Sequence, residues 1–147
     1  MAPVVVLVVG NPSRGDDAIG PELAARLAAA DLPGVEVIVD FQLQVEHALD
    51  LEGRRLAVFI DAAQDAAAPY ELRSVAAARD LSHTSHALSP AAVLETFERV
   101  CGAPAPPAVL LAVRAESFEL GAPLTTAARA NLEAAWLWLE GGLAPNG

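Results

Sequence analysis

Cysteine and positive charge are both scarce in this sequence. Cys101 is its single cysteine, and nine Lys and Arg stand against nineteen Asp and Glu, which leaves a net charge of −10. One cysteine can form neither an internal disulfide nor a thiolate metal cluster, so we expect a reducing compartment, the cytoplasm. The negative charge repels phosphate backbones and anionic lipids, which argues against nucleic acid and membranes as partners.

Long hydrophobic runs are missing as well. The apolar start at residues 4–9 has no basic stretch before it and stops at Gly10-Asn11-Pro12, far short of a membrane span. Aromatic residues make up 5% of the chain, whereas Ala, Val and Leu dominate the 54% that is hydrophobic. This composition predicts aliphatic strands under alanine-rich helices. We expect a monomer with one domain over residues 1–140 and a flexible tail at 141–147.

The order of the apolar segments predicts an α/β fold. Unbroken β-branched runs indicate buried parallel strands, and alanine and leucine at helical spacing indicate helices between them. Together they predict a three-layer α/β/α sandwich around a five-stranded, mostly parallel mixed sheet. The predicted strands are Pro3–Val9, Val35–Val39, Leu56–Ile60, Tyr70–Val75 and Ala108–Val113, and the predicted helices are Ala18–Ala30, Gln44–Leu51, Pro90–Val100 and Thr125–Leu139.

Two of these elements carry more specific expectations. The strand at Tyr70 is predicted to be antiparallel to its neighbour, because its connection from Ile60 is shorter than the dozen or so residues of a crossover. In the second helix, the spacing predicts that Val45, Ala48 and Leu49 share one face.

Acidic residues follow three of the predicted parallel strands. Asp16 and Asp17 lie in the loop after the first strand, and Asp40 and Asp61 end the next two. Because ligands of open α/β sheets bind beyond the carboxyl ends of the strands, these side chains mark the candidate site. The first loop lacks the G-x-G-x-x-G spacing and the Walker lysine, and its two carboxylates would repel a pyrophosphate.

Each candidate side chain also has an ordinary explanation. Asp16 and Asp17 could simply complement a helix dipole, Asp61 could be the first solvated loop residue, and His86 could be a polar loop residue. Brought together, Asp17, Asp61 and His86 could hold a divalent metal ion or carry out proton transfer, and the residues alone leave both roles open. No serine lies in a G-x-S-x-G elbow, and Cys101 has no activating base nearby in sequence.

The motifs resemble those of the hydrogenase maturation proteases, in matching order over almost the whole chain. The matching segments are Gly10-Asn11, Gly15-Asp16-Asp17 with Gly20, Asp61-Ala62, Ser85-His86 and the late stretch that ends in Gly121-Ala122-Pro123-Leu124-Thr125. The resemblance implies an endopeptidase that removes a C-terminal extension from the large-subunit precursor of a nickel-iron hydrogenase after nickel insertion. It also implies that Asp17, Asp61 and His86, rather than His83, form the catalytic and metal-recognising trio.

The chain departs from the family pattern after the second strand. Many members of the family carry a glycine-rich G-G-T segment in the region where this chain has Asp40-Phe41-Gln42-Leu43-Gln44-Val45-Glu46-His47, and Asp40 and Gln42 are candidates for substrate recognition. Nickel is expected in the substrate, and the protease itself would bind it with low affinity. The mechanism is left open between an aspartic-type and a metal-assisted peptidase. A hydrolase of another substrate and a non-catalytic nickel-binding or chaperone module are the alternatives.

Overall fold

The computed structural model describes residues 1–79 and 87–143. These residues form five strands, three α-helices and two short 3-10 helices. The strands are β1 (Val4–Val9), β2 (Val35–Asp40), β3 (Leu56–Ala63), β4 (Tyr70–Val75) and β5 (Ala108–Arg114). The α-helices are α1 (Ile19–Ala30), α2 (Pro90–Cys101) and α3 (Thr126–Leu143); the first 3-10 helix is Gly15–Ala18 and the second is Val45–Leu51.

The five strands form one mixed sheet in the order β2-β1-β3-β5-β4. β1 is parallel to both β2 and β3, and β3 is parallel to β5. β4 alone is antiparallel, and it pairs with β5 from Tyr70 opposite Val113 to Val75 opposite Ala108. The predicted fold class and the predicted direction of β4 are confirmed.

Both faces of the sheet are buried, which explains the unbroken apolar run of β1. Val6 and Val8 point into a core formed with α1 and α3. Val5 and Leu7 point into a second core, formed with α2 and the second 3-10 helix. Because successive strand residues face opposite sides, a central strand must be apolar at every position.

Helix α2 begins as the sequence predicts. Ser89 is its N-cap, and its Oγ accepts a hydrogen bond of 3.1 Å from the Ala92 N–H. Pro90 occupies the first helical position, where its missing N–H removes no helical hydrogen bond.

The segment after β2 differs from its prediction. It is a 3-10 helix that buries Ala48 and Leu51, while Val45 and Leu49 are 60% and 59% exposed. A 3-10 helix has three residues per turn, so Ala48 and Leu51 lie on one face and Leu49 turns away. Ala48 is buried whereas Val45 and Leu49 are exposed, so the prediction that Val45, Ala48 and Leu49 lie on one face is wrong.

Helix α3 continues three residues beyond the predicted end of the domain at residue 140, to Leu143. The remaining residues of the predicted tail, 144–147, lie outside the described residues. Within residues 1–79 and 87–143, no helix is both long and apolar enough to cross a membrane.

Candidate active site

A cavity of about 320 Å³ opens at the carboxyl edge of the parallel strands. The strands β1, β2 and β3 all end at this edge because they run in the same direction. The loops after β1 and β2 and the strand β3 itself contribute to the walls, and the chain just before α2 forms the remaining side. The polar and loop residues of the lining include Gly10, Asp17, Gln42, Asp61 and the stretch 87–90.

Asp17 lies in the first 3-10 helix and is partly buried beside the cavity. Its Oδ2 accepts a hydrogen bond of 2.7 Å from the Asn11 N–H. The turn is tight because Gly10 has a φ of 154°, and a Cβ there would come within 2.3 Å of the Asp17 carbonyl oxygen. Glycine at position 10 thus allows the loop to fold back and hold Asp17 at the cavity.

Asp61 lines the same cavity but lies within β3, not after it. The pairing of β3 with β5 continues through Asp61 opposite Ala112, so the prediction that β3 ends at Ile60 is wrong. Burial and the negative charge of Asp17 raise the pKa of Asp61 to about 7, although a hydrogen bond from the Ala62 N–H opposes the rise. A carboxyl with this pKa exchanges a proton near neutral pH, as a general acid or base must.

Asp16, the neighbour of Asp17, points away from the cavity and is fully buried. Its Oδ2 accepts hydrogen bonds from the Glu116 and Ser117 N–H groups at 2.8 and 3.1 Å. Thr125, which precedes α3, donates from its N–H to Oδ1 at 2.7 Å and from its hydroxyl to Oδ2 at 2.9 Å. Asp16 therefore joins the β1 loop to the loop between β5 and α3.

These bonds also determine the protonation of Asp16. Burial raises the pKa of the Asp16 carboxyl, but the hydrogen bonds from Thr125, Glu116 and Ser117 outweigh it and hold the pKa below its ordinary value. Asp16 is thus a permanent anion with a structural role. Sequence spacing contains no signal for these partners, which lie about a hundred residues away in the chain.

The two predicted recognition residues are placed differently. Gln42 lines the cavity with Asp17 and Asp61, whereas Asp40 lines an adjoining shallow cavity of about 260 Å³. Phe41 borders both cavities and is 69% exposed. Sequence reasoning passed over Phe41, although an exposed aromatic residue beside a candidate site is a signal for recognition.

His86 and His83 lie outside the described residues, so the choice of His86 for the trio stays a prediction. Ala87, the next residue in the chain, lines the cavity that holds Asp17 and Asp61. Among the residues that the structure describes, no group of three His, Cys, Asp or Glu side chains is arranged to hold a metal ion. Asp17 and Asp61 alone supply only two carboxylates, which fit an oxygen-preferring or borderline cation but do not enclose it.

The fold and the cavity together define an α/β protein with an acidic cleft at the carboxyl edge of its parallel strands. Hydrogenase maturation endopeptidases share this fold over nearly their whole length. The endopeptidase HybD from E. coli is 26% identical, with a TM-score of 0.74 over 95% of this chain and 91% of that one. The protease HycI from Thermococcus kodakarensis KOD1 is 22% identical, with a TM-score of 0.73 over 97% and 92%.

A hydrogenase 3 maturation protease is also similar, with 22% identity and a TM-score of 0.70 over 99% of this chain and 97% of that one. No protein-family model matches the sequence, and no curated protein sequence matches it. The resemblance to the hydrogenase maturation proteases that the motifs indicate is confirmed by these structures.

Proposed function

We propose that this protein is an endopeptidase that removes the C-terminal extension of a nickel-iron hydrogenase large-subunit precursor once nickel has been inserted. The observation that carries the proposal is the pair of carboxylates, Asp17 and Asp61, on one cavity of a fold shared with maturation endopeptidases. The proposal includes the expected cytoplasmic location and monomeric state.

The site suits hydrolysis of a peptide bond because the pKa of Asp61 is raised to about 7. In the ionised form, Asp61 would take a proton from water as the water oxygen attacks the peptide carbonyl carbon. The same proton would then pass to the leaving amine nitrogen as the C–N bond breaks, which returns Asp61 to its ionised form. The negative charge of Asp17 would keep the pKa of Asp61 raised.

Nickel enters this proposal as part of the substrate. Asp17 and Asp61 supply two oxygen donors, and His86 would add an imidazole nitrogen. Such a set binds nickel weakly by itself, so the metal centre of the precursor would complete the contact. This arrangement would let the protease distinguish a loaded precursor from an empty one, with Gln42 and Asp40 contacting the surrounding polypeptide.

The test compares nickel-loaded and nickel-free precursor incubated with the wild-type protein, Asp17→Asn and Asp61→Asn, with the products identified by mass spectrometry. We expect the wild type to trim the loaded precursor only, and both variants to lose trimming. Asp65→Asn is the matched control, since this aspartate is 81% exposed and does not line the cavity.

Three results would reject all or part of the proposal. Trimming of both precursors at the same rate would reject nickel recognition while leaving a peptidase. Tight binding of the loaded precursor without cleavage would instead support the non-catalytic nickel-binding or chaperone module. A hydrolase of another substrate would neither bind nor cleave the precursor.

A further inference from the structure

His47 is a buried histidine that the proposed chemistry does not use. It lies in the second 3-10 helix, and its side chain is 6% exposed. Its Nδ1 accepts a hydrogen bond of 2.8 Å from the Gln44 N–H, the residue at which the 3-10 helix begins. Its Nε2 lies 3.4 Å from Oδ2 of Asp40.

These two contacts define the tautomer of the ring. A nitrogen that accepts a hydrogen bond carries no proton, so Nδ1 is bare and the proton of the neutral imidazole is on Nε2. Nε2 lies near the Asp40 carboxylate, whose other oxygen accepts a hydrogen bond of 2.7 Å from the Phe41 N–H. The imidazole therefore contacts both ends of the segment 40–44.

The segment 40–44 forms one side of the candidate cleft. The Asp40 carbonyl accepts from the Gly10 N–H at 3.2 Å, which ties the segment to the β1 loop. The Leu43 carbonyl accepts from the Leu88 N–H at 3.0 Å, which ties it to the stretch that leads into α2. Gln42, between these two attachments, lines the cavity together with Asp17 and Asp61.

We infer that His47 is a positioning residue that fixes the segment 40–44, and with it Gln42 and the chain at Leu88, against the cleft. The expected effect of His47 on precursor cleavage rests on the proposed function, since Gln42 and Asp40 are the recognition residues of that proposal. His47 does not line the cavity that holds Asp17 and Asp61, so it acts through the segment and touches no reacting atom.

Two substitutions separate the contacts of the ring. In His47→Asn, the side-chain oxygen can take the place of Nδ1 and accept from the Gln44 N–H. In His47→Gln, the amide can reach toward Asp40 but no longer offers an acceptor close to Gln44. Glu46→Gln, an exposed change on the same 3-10 helix, is the matched control.

The experiment measures amide hydrogen exchange at Gln44 and Leu88, with Val6 of β1 as the reference for global unfolding, together with kcat and KM for the loaded precursor. Loss of a hydrogen bond predicts that exchange at Gln44 and Leu88 becomes roughly threefold to tenfold faster in His47→Gln, with the ratio taken against Val6. KM is expected to rise by a similar factor with little change in kcat. In His47→Asn, exchange at Gln44 should stay near the wild type because the acceptor for the Gln44 N–H is kept, and Glu46→Gln should stay near the wild type in every measurement.

Faster exchange of Val6 by the same factor as Gln44 and Leu88 would overturn the inference, because it would show general destabilisation only. Unchanged exchange in His47→Gln would overturn it as well. If the His47 variants do not fold, the nitrogen chemical shifts of His47 in the wild type test the inference, because they report which ring nitrogen carries the proton. A bare Nδ1 and a protonated Nε2 support the inference, and the opposite tautomer overturns it. If the wild type does not cleave the precursor, the proposed function fails, while the exchange and tautomer results still decide the role of His47.

Discussion

Asp16, in the first 3-10 helix, and Asp61, in β3, together show what decides the charge of a buried carboxyl. Burial raises the pKa of both, yet the pKa of Asp16 ends below its ordinary value and that of Asp61 rises to about 7. Asp16 accepts hydrogen bonds from the N–H groups of Glu116, Ser117 and Thr125 and from the Thr125 hydroxyl. Asp61 instead faces another carboxylate. The hydrogen bonds that Asp16 accepts outweigh its burial, whereas at Asp61 burial and a neighbouring negative charge act in the same direction.

The largest effect is expected from Asp16→Ala. Removing this carboxylate leaves the N–H groups of Glu116, Ser117 and Thr125 without their acceptor inside the protein. Since each unsatisfied buried donor costs about 1–3 kcal/mol, we expect the free energy of unfolding to fall by about 3–5 kcal/mol. Urea unfolding at pH 7 measures the change, and Asp65→Ala should fall within about 0.5 kcal/mol of the wild type. A loss below about 1 kcal/mol for Asp16→Ala would show that water replaces the carboxylate.

Asp61→Asn should have the opposite effect on stability. The folded protein holds this carboxylate ionised at a cost above pH 7, and the amide removes that cost. We expect a gain of about 2–4 kcal/mol at pH 8, accompanied by loss of precursor cleavage by about a hundredfold or more. Thermal unfolding measures the gain in stability, and a cleavage assay on the same preparation measures the loss of activity. A variant that is less stable than the wild type at pH 8 would contradict the raised pKa.

The dependence of stability on pH provides a second measure of Asp61. Between its ordinary pKa of 3.8 and its folded value of about 7, the folded state keeps the proton that the unfolded state has lost. Stability from this group is therefore present at low pH and falls as pH rises through that window. Between pH 5 and pH 7, wild type should lose about 2 kcal/mol relative to Asp61→Asn. If the free energy of unfolding depends on pH in the same way in the two proteins, the raised pKa of Asp61 is excluded.

The smallest effect is expected from Thr125→Val, which tests one part of the Asp16 cluster. The substitution removes the hydroxyl that donates to Asp16 and that accepts from the Ala128 N–H at the start of α3. The backbone N–H of residue 125 still reaches Asp16. A loss of about 1–1.5 kcal/mol in the free energy of unfolding is expected, with cleavage unchanged. Thr126→Val, one residue further on, is the control. An equal loss in the free energy of unfolding there would show that the Thr125 hydroxyl has no specific role.

The layered fold could be predicted from sequence because its signals are local. The apolar run of β1, the short connection before β4 and the cap at Ser89 each lie within a few residues of the feature they determine. The edge of the sheet that carries Asp17 and Asp61 follows from the direction of the strands alone.

The remaining details depend on contacts between distant parts of the chain. Asp61 reads as a loop residue because it is polar, but pairing with Ala112 extends β3 past it. Asp16 reads as one half of an acidic pair with Asp17, and only its contacts with Glu116 to Thr125 reveal a separate role. The second 3-10 helix contains residues that are compatible with an α-helix, and packing against α2 selects its tighter geometry.

The first 3-10 helix also determines how this protein can change over evolutionary time. Its three residues per turn send the side chains of neighbouring residues in different directions, so Asp16 points to the loop before α3 while Asp17 points to the cleft. One inserted or deleted residue between Gly10 and Asp16 would rotate the two carboxylates together, removing the structural anion and the cleft carboxylate in a single event. The loop can therefore accept new amino acids at Pro12 or Ser13, but its length is fixed by two unrelated requirements at once.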